Sequence, residues 1–291
     1  MRFERAAIVG VGLIGGSLAL AARRAGLIGE VIGIGRSAAN LETARARGII
    51  DRAVRDLSGV EPVDLVVLAV PVRSTAAAMR ALLPHVRAGT IVTDVGSVKG
   101  DVVAAMAEVL PADRPFVGAH PIAGSERAGA GAADVELFHG APCVVTPTAA
   151  TPRAAVARVR ALWEGVGARV HEMSPAAHDR ALAYVSHLPH VVAYALVRAL
   201  DDAQLAALSG GSWRDATRVA ESKPELWCDI LLANAEAVIA ATDAFAAQLT
   251  ALRAAVVAGD ASALTALLEQ ATAAKQQQLR AAPLARGATE P

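Results

Sequence analysis

Short, unbroken apolar runs alternate with longer stretches of helical spacing through the first half of the chain. Ala6-Ala7-Ile8-Val9, Val31-Ile32-Gly33-Ile34, Leu65 to Val70, Thr90 to Thr93 and Phe116-Val117 read as strands. Between them, Ile14 to Ala25, Ala38 to Arg47, Thr75 to Leu83 and Val98 to Leu110 carry the spacing of helices. Strands that are apolar on both faces and separated by helices predict a parallel sheet covered on both sides. Ala168 to His171 predicts one more short strand that closes it.

The pattern changes after about Pro152. Thr151-Pro152 and Ser174-Pro175 each look like an N-cap followed by proline at the first helical position. The first predicts a helix to about Glu164, ended by Gly165 and Gly167. The second opens a helical segment to about Asp202, with a kink expected at Pro189. Pro224 to Ala258 and Ser262 to Leu279 are further helices rich in alanine and leucine. The expected architecture is an α/β Rossmann-type domain over residues 1–172, followed by an all-helical domain over 173–291. That helical half carries more apolar surface than one bundle hides, which predicts a homodimer.

Composition narrows the partners. The 291 residues hold 28 Lys+Arg and 28 Asp+Glu, so the chain lacks the basic footprint that binding a phosphate backbone demands, and no nucleic-acid partner is expected. Mean hydropathy is +0.40, but the most apolar run, Leu65 to Val72, falls far short of the roughly 20 residues of a spanning helix, so no membrane partner is expected. The N-terminus enters a strand-like run rather than a signal peptide, and a cytoplasmic location is expected. Cys143 and Cys228 make neither a disulfide framework nor a metal cluster.

Gly10-Val11-Gly12-Leu13-Ile14-Gly15 fits G-x-G-x-x-G directly after a strand and before a helix. Gly10 permits the turn, Gly12 lets backbone approach a pyrophosphate, and Gly15 lets helix and strand pack closely. The first-turn amides, from Leu13 and Ile14 onward, then face the phosphates of a dinucleotide. At the end of the second strand, where NAD enzymes carry an acid, the sequence reads Gly35-Arg36-Ser37. The Arg36 guanidinium and Ser37 hydroxyl suit a 2′-phosphate, so NADP is favoured over NAD.

Four further segments carry polar groups in excess of structural need. Asp94-Val95-Gly96-Ser97-Val98-Lys99 follows a strand at the ligand-binding edge, where Ser97 either caps the next helix or faces a ligand. His120, in Gly118-Ala119-His120-Pro121, sits at the same edge with a pKa suited to proton transfer. Ser186-His187-Leu188-Pro189-His190 puts two histidines on one helix face; with no acidic or cysteine partner nearby, substrate recognition is a better reading than a metal site. Arg218, three residues after Asp215, reads as an oriented pair ready for a carboxylate, or as a surface salt bridge of little value.

GVGLIGGS, DVGSVK, GAHPIAGSE, SHLPH and RDATR…PELW, in that order, resemble the prephenate and arogenate dehydrogenases of tyrosine biosynthesis. The resemblance runs from about residue 6 to at least 280. It implies a Rossmann domain joined to a helical dimerisation domain, with no regulatory domain following and no chorismate mutase domain preceding. It implies that His120 is the base that takes the C4 hydroxyl proton of prephenate, and that Ser97 orients that hydroxyl. His190 and Arg218 would hold substrate carboxylate, with Ser186 and His187 lining the site. Glu126 resembles the family's gating carboxylate and Trp227 its capping aromatic. Strict arogenate enzymes of the family tend to lack both, so prephenate is the expected substrate, with arogenate or dual specificity as the alternative. A β-hydroxyacid dehydrogenase or imine reductase shares the architecture, but the former uses a helix lysine where histidines stand here. A non-catalytic dinucleotide sensor would have no need for His120, Ser97 and Arg218 together.

Overall fold

Short apolar runs such as Ala6–Val9 and Leu65–Leu68 give strands here because both faces of the sheet are covered, so these positions need not alternate with polar ones. The computed structural model describes residues 2–55, 61–125, 127–200 and 208–281. Its eight-stranded sheet has the order β3-β2-β1-β4-β5-β6-β7-β8. The strands are β1 (Phe3–Val9), β2 (Ile28–Ile34), β3 (Arg52–Val54), β4 (Leu65–Leu68), β5 (Ile91–Asp94), β6 (Phe116–Pro121), β7 (Pro142–Thr146) and β8 (Arg169–Glu172). β1 to β6 pair in parallel, the Rossmann order. The expected closing strand is β8. β3 and β7 have no counterpart among the strands expected from the sequence; β7 joins β6 antiparallel.

Leu65 and Val67 of β4 face one core, with α1 (Leu13–Arg24), α2 (Ala38–Ala46) and α5 (Arg153–Gly165). Val66 and Leu68 face the other, with α3 (Thr75–Leu82) and α4 (Gly100–Val109). Trp227 and Ile230 of α9 (Pro224–Ala233) join this second core. Helices α6 (Pro175–Leu182), α7 (Leu188–Ala199), α8 (Gly211–Thr217) and α9 therefore belong to a compact unit that extends to Ala237.

Ser174 caps α6 as expected, its hydroxyl accepting from the Ala177 N–H at 3.2 Å. Thr151 does not cap α5: its hydroxyl accepts instead from Thr148 N–H at 3.0 Å, and Pro152 holds the cap position. The irregularity expected at Pro189 is a π-turn over Ala183–His187, just ahead of it. Proline offers no N–H to the preceding turn, and the backbone widens there.

The second unit, Val238 onward, holds the remainder of α10 (Ala235–Ala258) and α11 (Ala261–Ala281), separated at Gly259 with its φ of +62°. Among its apolar residues Ile239, Leu249, Val256, Val257, Leu268 and Leu279 are exposed. The 24-residue α10 is long and apolar enough to cross a membrane by length and composition alone. A search for unbroken apolar runs passes over it, because Glu236, Thr242, Asp243, Gln248 and Arg253 interrupt the pattern.

Candidate active site

The carboxyl ends of β1, β2, β4, β5 and β6 share one edge, and the loops leaving them carry the chemistry. At the first of these loops, Gly10 has φ +94°, and a Cβ there would stand 2.2 Å from the Ala69 carbonyl oxygen. A Cβ at Gly15 would stand 2.3 Å from the Gly10 carbonyl oxygen, so helix and turn meet too closely for any side chain. A Cβ at Gly12 meets nothing within 4 Å: the bare backbone faces open space. That is the cradle a pyrophosphate needs, with Leu13 and Ile14 opening α1 beside it. Asn40, which no motif in the sequence marks, holds the loop in shape. Its Nδ2 donates to the Val11 carbonyl at 2.7 Å, and its Oδ1 accepts from Ala130 N–H at 2.7 Å.

At the end of β2, Arg36 is exposed and has no ion pair among the described residues. Ser37 caps α2 by accepting from Asn40 N–H at 3.2 Å, which leaves its hydroxyl hydrogen to donate elsewhere.

Ser97 lies in the β5–α4 loop and is partly exposed. The helix-capping alternative does not hold, since Lys99 occupies the cap position without a side-chain bond. Asp94 and Lys99, both buried, form an ion pair beneath this loop. They also grip Ala119 from both sides: Lys99 Nζ donates to its carbonyl at 2.9 Å, and Asp94 Oδ1 accepts its N–H at 3.1 Å. The strand residue just before His120 is thereby clamped. Burial lowers the Lys99 pKa against the pull of Asp94.

His120 is 8% exposed. Its Nδ1 lies 2.8 Å from Nε2 of His178, whose own Nδ1 lies 2.7 Å from Asp179 Oδ1. Neither His178 nor Asp179 stood out in the sequence. Burial first, then the neighbouring His178, Lys99 and His187, hold the His120 pKa well below its ordinary value. The ring is neutral, as a proton acceptor must be.

The two other histidines converge on Trp227. His190 stacks on its ring at 3.4 Å between centroids, and His187 meets it edge-on at 6.0 Å. His187 is fully buried and its pKa is pulled down to about 4, chiefly by burial. Asn234, at the break between α9 and α10, donates from Nδ2 to His187 Nδ1 at 3.1 Å and to the Asp179 carbonyl at 2.9 Å. An amide nitrogen only donates, so His187 carries its proton on Nε2. That buried N–H has no partner among the described residues and is available to a ligand oxygen. Asn234 was likewise unforeseen, although it interrupts an Ala/Leu run. His190 Nδ1 donates to the Ser186 carbonyl at 2.9 Å. Its pKa is lowered by burial, and further by the charge of Arg218, which places that guanidinium in the same field.

The expected Asp215–Arg218 pair is not formed among the described residues. α8 ends at Thr217, and Arg218 turns away into a tighter helical turn over Arg218–Glu221, where it is exposed. Glu126 lies outside the described residues. A groove of about 420 Å³, lined by Met106, Leu110, Phe116 and Thr151, opens where β6 begins, away from His120, and holds none of these groups.

Residues 18–172 match the family described as prephenate dehydrogenase, nucleotide-binding domain, and residues 174–270 match prephenate dehydrogenase, dimerization domain. The chain is 39% identical over 265 residues to a cyclohexadienyl dehydrogenase of Zymomonas mobilis, covering 89% of this chain and 90% of that one. It is 36% identical over 264 residues to a prephenate dehydrogenase of Bacillus subtilis, covering 88% and 71%. The crystal structure of prephenate dehydrogenase from A. aeolicus, in complex with hydroxyphenyl propionate and NAD+, superposes with a TM-score of 0.90 at 35% identity, over 95% of this chain and 99% of that one. The glycine cradle, the buried imidazole at the sheet edge and both matched domains agree: this chain belongs to the prephenate dehydrogenase family, nicotinamide-dependent oxidoreductases.

Proposed function

We propose that the chain oxidatively decarboxylates prephenate to 4-hydroxyphenylpyruvate, with NADP preferred over NAD. The observation that carries this reading is the buried His120, in contact with His178, at the edge of the sheet that also bears the glycine cradle. When bound, the nicotinamide supplies the acceptor for the hydride leaving C4. His120 takes the C4 hydroxyl proton, and Ser97 orients that hydroxyl. The bond from C1 to the ring carboxylate then breaks, its electron pair passes through the ring to the C4 oxygen, carbon dioxide leaves, and the aromatic C4 oxyanion takes the proton back from His120 to give the phenol. Arg218 meets a substrate carboxylate in bidentate fashion. His190, its Nδ1–H already spent on Ser186, assists as an imidazolium, a form that a bound carboxylate favours. Ser186 lines the pocket, His187 offers its neutral Nε2–H to a substrate oxygen, and Glu126 acts as the gating carboxylate. Trp227 caps the pocket; with Glu126 it supports prephenate over arogenate.

Exposed apolar residues on α10 and α11, within and beside the matched dimerization domain, support a homodimer as the working form. The same burial account serves α10 better than a membrane, and a biosynthetic enzyme drawing on the nicotinamide pool belongs in the cytoplasm.

A steady-state assay of prephenate and arogenate, each with NAD and NADP, tests the substrate and cofactor together. The expected result is higher kcat/KM for prephenate and for NADP; a preference for arogenate or NAD overturns the corresponding half. The cofactor half has its own variant. A Cβ at Gly35 would have the Leu41 side chain as its nearest neighbour, at 3.4 Å, an ordinary contact, so Gly35→Asp is accommodated. It places a carboxylate where the 2′-phosphate would lie, and the NADP-to-NAD ratio of kcat/KM should fall by roughly tenfold or more. No change would mean that the ribose is held elsewhere.

A further inference from the structure

Two buried groups behind His120 have no task in the reaction as described. His178 is fully buried, and Asp179 is 8% exposed on the first turns of α6. The Asp179 carboxylate is more than a partner for His178. Its Oδ1 also accepts the Lys99 N–H at 2.8 Å, and its Oδ2 accepts the Gly100 N–H at 2.7 Å, at the very start of α4.

We infer that Asp179, acting through His178, is a positioning residue that sets the tautomer of His120 and holds the Ser97 loop in register with it. This rests on the reading of His120 as the base. A carboxylate only accepts, so the hydrogen between Asp179 and His178 sits on His178 Nδ1. A ring with one proton then presents a lone pair at Nε2, and the hydrogen shared over 2.8 Å belongs to His120 Nδ1. His120 is left with its lone pair on Nε2, the nitrogen free to meet an alcohol. The opposite tautomer of either ring would set two hydrogens, or two lone pairs, against each other.

The charges around the pair agree. From the β5–α4 loop, Lys99 is paired with Asp94 and still opposes a positive charge on His120. From the π-turn, His187 is held neutral by burial. Asp179, from α6, is left to balance the imidazolium that forms when His120 accepts a proton. Burial works to raise its pKa, but the bonds from His178, Lys99 and Gly100 together keep it below the ordinary carboxylate value. The same two amides fix the start of α4, two residues beyond Ser97, to the element that carries His178.

The first test needs no variant. Two-bond ¹H–¹⁵N correlation of the histidine rings in the wild-type dimer should show the Nδ1–H tautomer for His120, its signals identified by their loss in His120→Asn. An Nε2–H tautomer overturns the proposal, whatever any variant does. In His178→Phe, Nδ1 of His120 faces no acceptor, and the proton should move to Nε2; an unmoved proton also counts against the proposal. In Asp179→Asn the charge is lost in either amide orientation. There kcat should fall about 30-fold or more, with KM for substrate and cofactor within about threefold. The acid limb of kcat/KM should move to lower pH, because an imidazolium without its counter-charge forms less readily. A purely structural Asp179 would leave that limb in place. If His120→Asn keeps turnover, the base reading itself fails. If His120→Asn is inactive while Asp179→Asn is near normal, the positioning role alone fails.

Discussion

His120→Asn is expected to lower kcat by about 10³-fold or more while leaving prephenate and cofactor affinity within a few-fold. The size follows from the absence of a substitute base among the groups in contact with it. His178 has its Nε2 committed to His120, and the Lys99 amine is committed to Asp94 and the Ala119 carbonyl. The clean separation of turnover from binding follows from shape. An asparagine amide can still donate toward His178, so the buried cluster keeps its hydrogen bond. Calorimetric titration alongside steady-state kinetics checks both halves, and a kcat within tenfold of wild type removes His120 as the base. The wild-type pH profile carries the same argument. Burial lowers the His120 pKa, so the reactive neutral form persists to pH values below 6.5, and kcat, read with substrate bound and His190 already charged, should be flat through neutrality and fall only on the acid side. Stability follows the same sign. The unfolded ring binds a proton that the folded ring resists, so the contribution is complete above pH 6.5 and is lost as pH falls through the folded value.

β1, β2, β4 and β5 were readable because each carries a buried apolar run and is followed by a helix, whereas the three-residue β3, Arg52–Val54, is too short and too polar to show a pattern. β7 was not: it pairs antiparallel with β6, and among the described residues no α-helix precedes it, although α5 follows. In the site, the residues visible in sequence were those in short, polar, glycine- or proline-marked segments: His120, His187, His190 and Trp227. The structure joins them through groups whose local sequence had an ordinary explanation. His178 and Asp179 follow Ser174-Pro175 and read as the first turn of a helix, while their partners lie 58 and 80 residues away. No periodicity reports a contact of that kind. Asn234 offered one clue, a polar break in an Ala/Leu stretch, and the helix does break there to present its amide. The Asp215–Arg218 pair failed for the converse reason: spacing of three residues makes neighbours only where the helix continues, and this one stops between them.

That same stop frees Arg218 for its second expected result. Arg218→Ala should raise KM for prephenate by roughly 10- to 100-fold, with kcat changed by less than about threefold, since a charge-assisted hydrogen bond contributes about 1.5–3 kcal/mol. The lower end is favoured, because Arg218 is exposed and water screens part of its attraction. Arg218→Lys should recover only a portion, because an ammonium keeps the charge but not the paired donors that match a carboxylate. Removing the guanidinium also removes one of the influences that lower the His190 pKa. His190 should then protonate at higher pH, and the KM penalty should shrink as the assay is made more acidic. A penalty that stays constant with pH would separate the two residues, and an unchanged KM would place Arg218 outside the substrate's reach altogether.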